Sequence, residues 1–373
     1  MKIIYRTTIS PWEKQGDYPS QSFPSIAVSQ TGRLVAAWRS APKKNSICDN
    51  RVLISCSDDG GRNWSQPAMP CKPPILDGLA GVFRMGSVST YANKLLLSLC
   101  RVDTSRPERP FFNEANSGLL DCKVFLSVSE DDGANWTTPR LLDTSPYDKQ
   151  PTPTTGPALI LPDGRIAIQF ELNLPYESTA PWRHLPVLKF SSNMGKTFDY
   201  HAIPAEDPEN KIFYWDQRPI VLRDGKIVNF FWTWDNSKNC YHNITMTSSD
   251  DGGRTWTAPH DTGIPGQAGP GVELADGRLL IPIVDRTGNP KVVAHISADR
   301  GLSFTDKALL LSGNITDKQT ASQDDMSGAW REMSAFSVGL PAAVDSGHGT
   351  VYVVWYEGIA SDKTHIEFAE IQV

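Results

Sequence analysis

Arginines and carboxylates stand out among the side chains able to do chemistry. Arg39, Arg51, Arg84, Arg101, Arg218, Arg286 and Arg331 alternate along the chain with Asp49, Asp103, Asp216, Gln267, Asp285 and Glu332. Guanidinium groups gathered in one place grip a carboxylate through paired hydrogen bonds. A carboxylic acid in crowded surroundings takes on the raised pKa that acid–base work needs. These positions are far apart in sequence, so they form a site only if the fold returns the chain repeatedly to one point.

An internal repeat supplies that return. The pattern Ser-x-Asp-x-Gly-x-x-Trp occurs at Ser57–Trp64, Ser129–Trp136 and Ser249–Trp256. Degenerate copies run from Ser191 through Asn193 and Gly195 to Phe198, and from Ser297 through Asp299 and Gly301 to Phe304. Each reads as a hairpin turn. The Asp accepts bonds from backbone N–H groups of its own turn, Gly supplies an unusual backbone angle, and the aromatic ring packs between sheets. A calcium loop is disfavoured, because the Glu that would close an EF-hand is missing. Ahead of the boxes lie hairpin signals such as Pro162-Asp163-Gly164-Arg165 and Ala275-Asp276-Gly277-Arg278, set between apolar runs.

Each unit therefore holds four strands, A to D, and six units of roughly 60 residues fill the chain. The expected fold is all-β, a six-bladed β-propeller with Asp-box repeats, as a single domain over residues 1–373. The N-terminal Ile3-Ile4-Tyr5 strand completes the last sheet, and no helix of note is expected. The A–B and C–D turns share one face of the disc. The B–C loops and the entries into each A strand share the other, where loops on a rigid scaffold carry function. On that face fall Arg39, Asp49 and Arg51 in the first unit, Arg84, Arg101 and Asp103 in the second, and Thr154, Thr155 and Glu171 in the third. Asp216, Gln217, Arg218, Trp234 and Asp235 follow in the fourth, Gln267, Asp285 and Arg286 in the fifth, and Trp330, Arg331, Glu332 and Glu357 in the sixth. Pairing of individual arginines with carboxylates at blade junctions is the competing explanation for any one of them. As a set, they fit a carboxylate-bearing ligand in the central mouth. Trp38 and Trp215 are candidates to stack on a sugar ring, or core residues.

Bulk properties narrow the classes. The 373 residues carry a formal net charge of −6, which argues against nucleic acid or an anionic membrane surface as partner. No apolar run approaches the ~20 residues of a membrane span. The N-terminus lacks a signal-peptide core, so the sequence as given reads as cytoplasmic, with a removed leader as the alternative. None of the six cysteines lies in a CxxC pair, so buried thiols are expected rather than zinc ligands or a disulfide framework. No metal or other cofactor is implied.

The boxes, together with Trp215-Asp216-Gln217-Arg218-Pro219 and Thr262-Gly263-Ile264 before Gly266-Gln267, resemble the sialidase (neuraminidase) superfamily. The likeness is to its bacterial BNR-repeat, sialidase-like members and runs from about Phe23 to Glu357. The resemblance implies an arginine triad for a substrate carboxylate, an Asp acid/base, and a Tyr nucleophile activated by a Glu. By position, Asp49 would be the acid/base and Asp216 would stand near the activating Glu. Ser22 occupies the place of the first triad Arg. The sixth A strand, read as Met333-Ser334-Ala335-Phe336, offers no Tyr, and Tyr214 is the one candidate for a displaced nucleophile. Catalysis would then fall to a carboxylate pair drawn from Asp49, Asp216, Asp285 and Glu332. Two functions stay open: a glycoside hydrolase acting on a terminal acidic sugar, and a non-hydrolytic glycan-binding propeller.

Overall fold

The computed structural model describes residues 1–312, 319–320 and 322–373. Six antiparallel sheets form six blades in a ring. Blade I is built from Ser20–Val28, Leu34–Ala41 and Arg51–Ser57. Its fourth strand shrinks to a bridge between Ile54 and Ala68, because Pro67 and Pro70 remove ladder donors. Blade II follows with Gly81–Tyr91, Lys94–Asp103, Cys122–Ser129 and Arg140–Leu141. In blade III only Leu159–Ile160 remains of the inner strand, paired to Ile166–Leu172. Blade IV centres on Ile212–Val221 and Ile227–Asp235, and blade V on Leu279–Asp285 and Lys291–Ser297. Blade VI comprises Val338–Asp345, Thr350–Ala360 and Lys363–Gln372. The N-terminal strand Lys2–Ser10 completes it, with Ile3 opposite Ile371. The first and last strands thus share one sheet and close the ring.

Central strands are buried on both faces; every residue of Ile227–Asp235 is buried. Each seam between neighbouring blades has its own apolar cluster. Trp38, Val354 and Phe368 fill the seam between blades VI and I, and Val284, Ile296, Val353 and Trp355 that between V and VI. The Asp-boxes lock these seams from the lower face. Asp131 accepts from the Asn135 N–H at 2.8 Å and the Ser129 hydroxyl at 2.9 Å, while Trp136 donates to Gly133 O at 3.1 Å. The box glycines are required twice over. Gly253 has φ +88°, and a Cβ there would lie 2.2 Å from the Phe190 ring of the preceding blade.

The box carboxylates give the fold an acid limit. Bonds from the Asn63 N–H, the Asn63 side chain and the Ser57 hydroxyl hold Asp59 down to about 2. Asp131 and Asp251 are lowered by the same kind of bonds. A depressed carboxylate stabilises the fold above its unfolded pKa, and that contribution disappears as pH falls through the folded value. The melting temperature is therefore expected to be flat above about pH 5 and to fall between about pH 4 and 2. Asp59→Asn should flatten part of that slope while keeping the turn. Asn193 already fills the same place in blade III, accepting from the Thr197 N–H at 2.9 Å. A variant as acid-sensitive as the parent would dismiss this source.

Among the described residues one α-helix interrupts the all-β pattern, contrary to the sequence expectation. Residues 326–335 form α1 (Met326–Ala335), capped by Asp325, whose side chain accepts from the Gly328 N–H. The segment read as the sixth A strand is therefore the end of α1, and the strand itself is Val338–Asp345. Met326, Ala329, Trp330 and Met333 recur at helical spacing, and all four belong to one aromatic cluster with Trp215 and Trp234. All six cysteines are free thiols, Cys100 and Cys122 fully buried. Among the described residues, no helix is long and apolar enough to cross a membrane.

Candidate functional site

A defect repeated in the inner strands builds the site. Pairing register slips between Ser22 and Ser25, Phe83 and Met85, Trp215 and Arg218, and Gly339 and Ala342. These β-bulges sit at matching points of blades I, II, IV and VI, and a bulge re-aims a side chain. Within them Phe23, Asp216 and Leu340 hold φ of 56°, 49° and 42°. Asp tolerates that region; Phe and Leu resist it. Such residues cost roughly 1–3 kcal/mol each and concentrate at functional sites.

The bulges and the nearby loops form a polar arc touching every blade. Arg218 donates to Thr155 O of blade III at 2.9 Å and approaches Asp216 at 3.6 Å. Asp216 accepts a short hydrogen bond from the Gln267 amide. The Gln267 carbonyl accepts from Arg286 at 3.1 Å, and Arg286 bonds Val338 O twice, at 3.0 and 2.7 Å. Arg286 also lies 4.0 Å over the Phe336 ring. Lys44 bonds Phe336 O and the Tyr356 hydroxyl. Arg39 lies over Phe23, and Arg39 and Arg84 share Ser46 O at 3.2 and 3.1 Å.

The electrostatics are lopsided. Arg39 and Arg286 are buried and Arg84 is half-buried. Among the described residues, no carboxylate forms an ion pair with any of the three. Their partners are neutral: carbonyls for all three, with the side chains of Asn50 and Ser22 also serving Arg39. Burial, then the charge of Arg84, presses Arg39 well below its ordinary value, and burial presses Arg84 to about 10. The carboxyls of the arc, Asp216 and Glu171, lie on blades IV and III, beside Arg218. Burial raises Asp216, with Arg218 opposing and Glu171 adding to the rise. Glu171 itself bonds the His184 ring at 3.1 Å and the Gln217 N–H at 3.3 Å. The arrangement offers an anion cradle on blades I, II and V, joined through Gln267 to the Asp216 carboxyl of blade IV, whose pKa burial raises.

The BNR repeat-like domain family matches residues 111–353, from the blade II insertion into blade VI. The chain belongs to that family. Its fold is sialidase-like. A protein of unknown function from Dyadobacter fermentans is 20% identical over 100% of this chain and 99% of its own, with a TM-score of 0.75. A Hadza microbial sialidase is 15% identical, covering 99% of this chain and 68% of its own, with a TM-score of 0.70. An intramolecular trans-sialidase from Ruminococcus gnavus, in complex with oseltamivir carboxylate, is 10% identical over 98% and 97%, with a TM-score of 0.67. No curated protein matches in sequence.

Within this BNR repeat-like chain, Arg39, Arg84, Asp216, Arg218, Gln267 and Arg286 meet on the arc, with Thr155, Glu171 and Gln217 beside them, and most of the remaining expected residues make other contacts. Asp49 is exposed on its loop at φ 60°. Arg51 stacks 3.5 Å over Tyr18. Arg101 turns to Pro74 O and Leu79 O beneath Gly81. Asp103 lines a separate cleft of about 290 Å³ with Arg106, Arg109, Asp121, Lys149 and Tyr176. Asp285 is taken up by Thr287 and by Lys291 at 2.7 Å; burial alone would raise it, but these bonds hold it low. Arg331 is exposed on α1, whereas Glu332 accepts from the Thr320 N–H at 2.6 Å. Tyr214 packs with Ala205 and Phe231 and is raised by burial. Trp38 is core, bonded to Gln21.

Sequence reasoning missed Lys44, His184 and Tyr356 of the BNR repeat-like site. Lys44 and His184 lie in connections between strands, and Tyr356 lies within the strand Thr350–Ala360. Asp235, Cys240 and His242 also converge, their ligand atoms within 4.8 Å of one another. The Asp235 carboxylate is already engaged by Ser237 and by Lys238 at 3.1 Å.

Proposed function

We propose that the arc recognises a terminal, carboxylate-bearing sugar such as a sialic or uronic acid and cleaves its glycosidic bond. The observation that carries this reading is the set of guanidiniums, buried at Arg39 and Arg286 and half-buried at Arg84, that among the described residues meet only neutral acceptors. Burying charge without a counter-charge is costly, and an incoming carboxylate supplies that charge with paired hydrogen bonds. Asp216 is the general acid of this scheme, since burial raises its pKa above the ordinary carboxylate value, against the pull of Arg218. Glu171, held by His184, is the second carboxylate. The names of the sialidase structures that share the fold support a sugar ligand. One observation favours the alternative, binding without hydrolysis: α1 lies against the mouth, where Trp330 packs 6.0 Å from Trp215.

The test is to assay purified protein against sialosides and uronic-acid glycosides, with ligand binding measured in parallel. Turnover is expected on at least one acidic glycoside. Binding without turnover decides for the non-hydrolytic reading, and neither binding nor turnover rejects both. Arg84→Gln is expected to weaken the acidic ligand by about 10–100-fold, the worth of one charge-assisted contact. Isothermal titration checks this, and unchanged affinity removes Arg84 from the cradle.

A further inference from the structure

Among the described residues, one set of metal-ligating side chains converges: Asp235, Cys240 and His242, whose ligand atoms lie within 4.8 Å of one another. The hairpin of blade IV brings them together. Asp235 ends the strand Ile227–Asp235 and stands directly opposite Cys240, as Trp234 stands opposite Tyr241. Directly opposed residues of an antiparallel pair share a face, and so do residues two apart on one strand. The His242 N–H bonds Thr233 O at 2.9 Å, which carries the pairing two residues further. Asp235, Cys240 and His242 therefore point to one side. Tyr241, between the last two, points to the other and stacks on Trp232 at 4.9 Å and 5°.

The distances suit a single ion. Asp235 Oδ2 lies 3.5 Å from His242 Nε2. That is long for a hydrogen bond and close to the ~3.4 Å that separates two ligands held at about 2.0–2.1 Å from a tetrahedral zinc. Cys240 is a free, half-buried thiol, and an approach of about an ångström completes the set. The other carboxylate oxygen fixes the aim of Asp235. Oδ1 accepts from the Ser237 hydroxyl at 2.6 Å and from the Ser237 and Lys238 N–H groups at 3.0 Å each. Metal ligands are commonly oriented by such outer partners. Oδ2 has one competitor, Lys238 Nζ at 3.1 Å, but that side chain is 71% exposed and can turn into solvent.

The donor set selects the ion. A thiolate, an imidazole and one carboxylate suit zinc, whereas calcium and magnesium take oxygen ligands. We propose that Asp235, Cys240 and His242 bind a zinc-class divalent ion, with water in the fourth position. The metal–sulfur bond forms as the Cys240 thiol gives its proton to solvent. The same hairpin anchors the approach to α1. The Gln323 N–H bonds Asn239 O at 2.7 Å, Asn239 Nδ2 bonds Asp324 O at 3.1 Å, and Cys240 forms a bridge with Ser322. The ion thus ties down the segment that leads into the helix. It makes no use of the arginine cradle, so its test is decided separately from the glycosidase reading.

Isothermal titration of the reduced, chelator-treated full chain with zinc chloride, paired with absorption spectra in cobalt(II), tests the proposal. Saturable binding of about one equivalent of zinc is expected, and cobalt should show a thiolate charge-transfer band. His242→Ala, at an exposed position, and Cys240→Ser should each weaken zinc by more than about 100-fold, and Cys240→Ser should abolish the band. Ser237→Ala should weaken zinc by roughly 10–100-fold, the usual cost of losing a group that orients a ligand. Lys238→Met, which removes the competing ammonium, should tighten it. Cys48→Ser, at a half-buried thiol of blade I, should leave both readouts unchanged. Zinc should raise the melting temperature of the parent and not that of Cys240→Ser. The absence of saturable zinc binding overturns the proposal. So does binding that Cys240→Ser and His242→Ala leave intact, a cobalt spectrum without the thiolate band, or calcium bound as tightly as zinc.

Discussion

Asp216→Asn is expected to cut hydrolysis of an acidic glycoside by roughly 10²–10⁴-fold, the usual worth of a positioned general acid. The reason lies in where the carboxyl stands. The bulge between Trp215 and Arg218 turns it out of the sheet at φ 49°, and its side chain keeps about a quarter of its exposure, 27%. Burial raises its pKa, and Arg218 and the Gln267 amide limit the rise. As an acid, it works while protonated, so kcat/KM should fall as pH rises through that value. The asparagine keeps size and polarity but has no proton to give, so the alkaline limb should flatten as the rate drops. Ligand affinity should change far less, because the cradle arginines are untouched. Asp49→Asn is the informative companion. Asp49 is exposed on its loop, so its loss should cost little. A large loss at Asp49 with none at Asp216 would exchange their roles.

The architecture was open to reading because its signals are local. Each Asp-box carries its turn within eight residues, and Gly253 or Gly301 is demanded both by backbone angle and by the aromatic ring pressing on it. Ring closure followed from the apolar start of the chain, and Ile3 does pair with Ile371. The site was legible only in part. Counting strand ends selected Asp216, Arg218, Gln267 and Arg286, which touch one another in the structure because their bulges and strand ends recur in phase. The same counting also selected Arg51 and Arg101, which point elsewhere. A single step along a strand changes the face, and the counting did not resolve that step. α1 was missed for a different reason. Its helical spacing is carried by Met326, Ala329, Trp330 and Met333, but the repeat frame predicted a strand there, and the frame overrode the local pattern. That helix packs Trp330 6.0 Å from Trp215, beside Asp216 of the arc.

Gly269→Ala is expected to destabilise the ring by at least ~3 kcal/mol, the upper end of the usual cost of overpacking. Gly269 lies on the seam between blades V and VI, where its N–H bonds Pro282 O at 2.8 Å. A Cβ there would stand 1.6 Å from Pro341 O and 2.7 Å from the Pro341 carbonyl carbon, so backbone rather than a pliable side chain must give way. Pro341 belongs to the bulge that holds Leu340 at φ 42°, and the next bond along the seam joins the Ala343 N–H to Pro270 O at 2.8 Å. The damage should therefore reach the site as well as the fold. Gln267, two residues before Gly269, links Asp216 to Arg286. Gly277→Ala separates the two effects. Gly277 has φ +85°, and a Cβ added there would meet nothing within 4 Å, so only backbone strain of about 1–2 kcal/mol applies. Denaturant melts of both variants, with acidic-ligand affinity measured on the folded fraction, make the comparison. Gly269→Ala should lose both stability and affinity, Gly277→Ala stability alone. Equal stability losses would mean that the V–VI seam yields more readily than this contact implies.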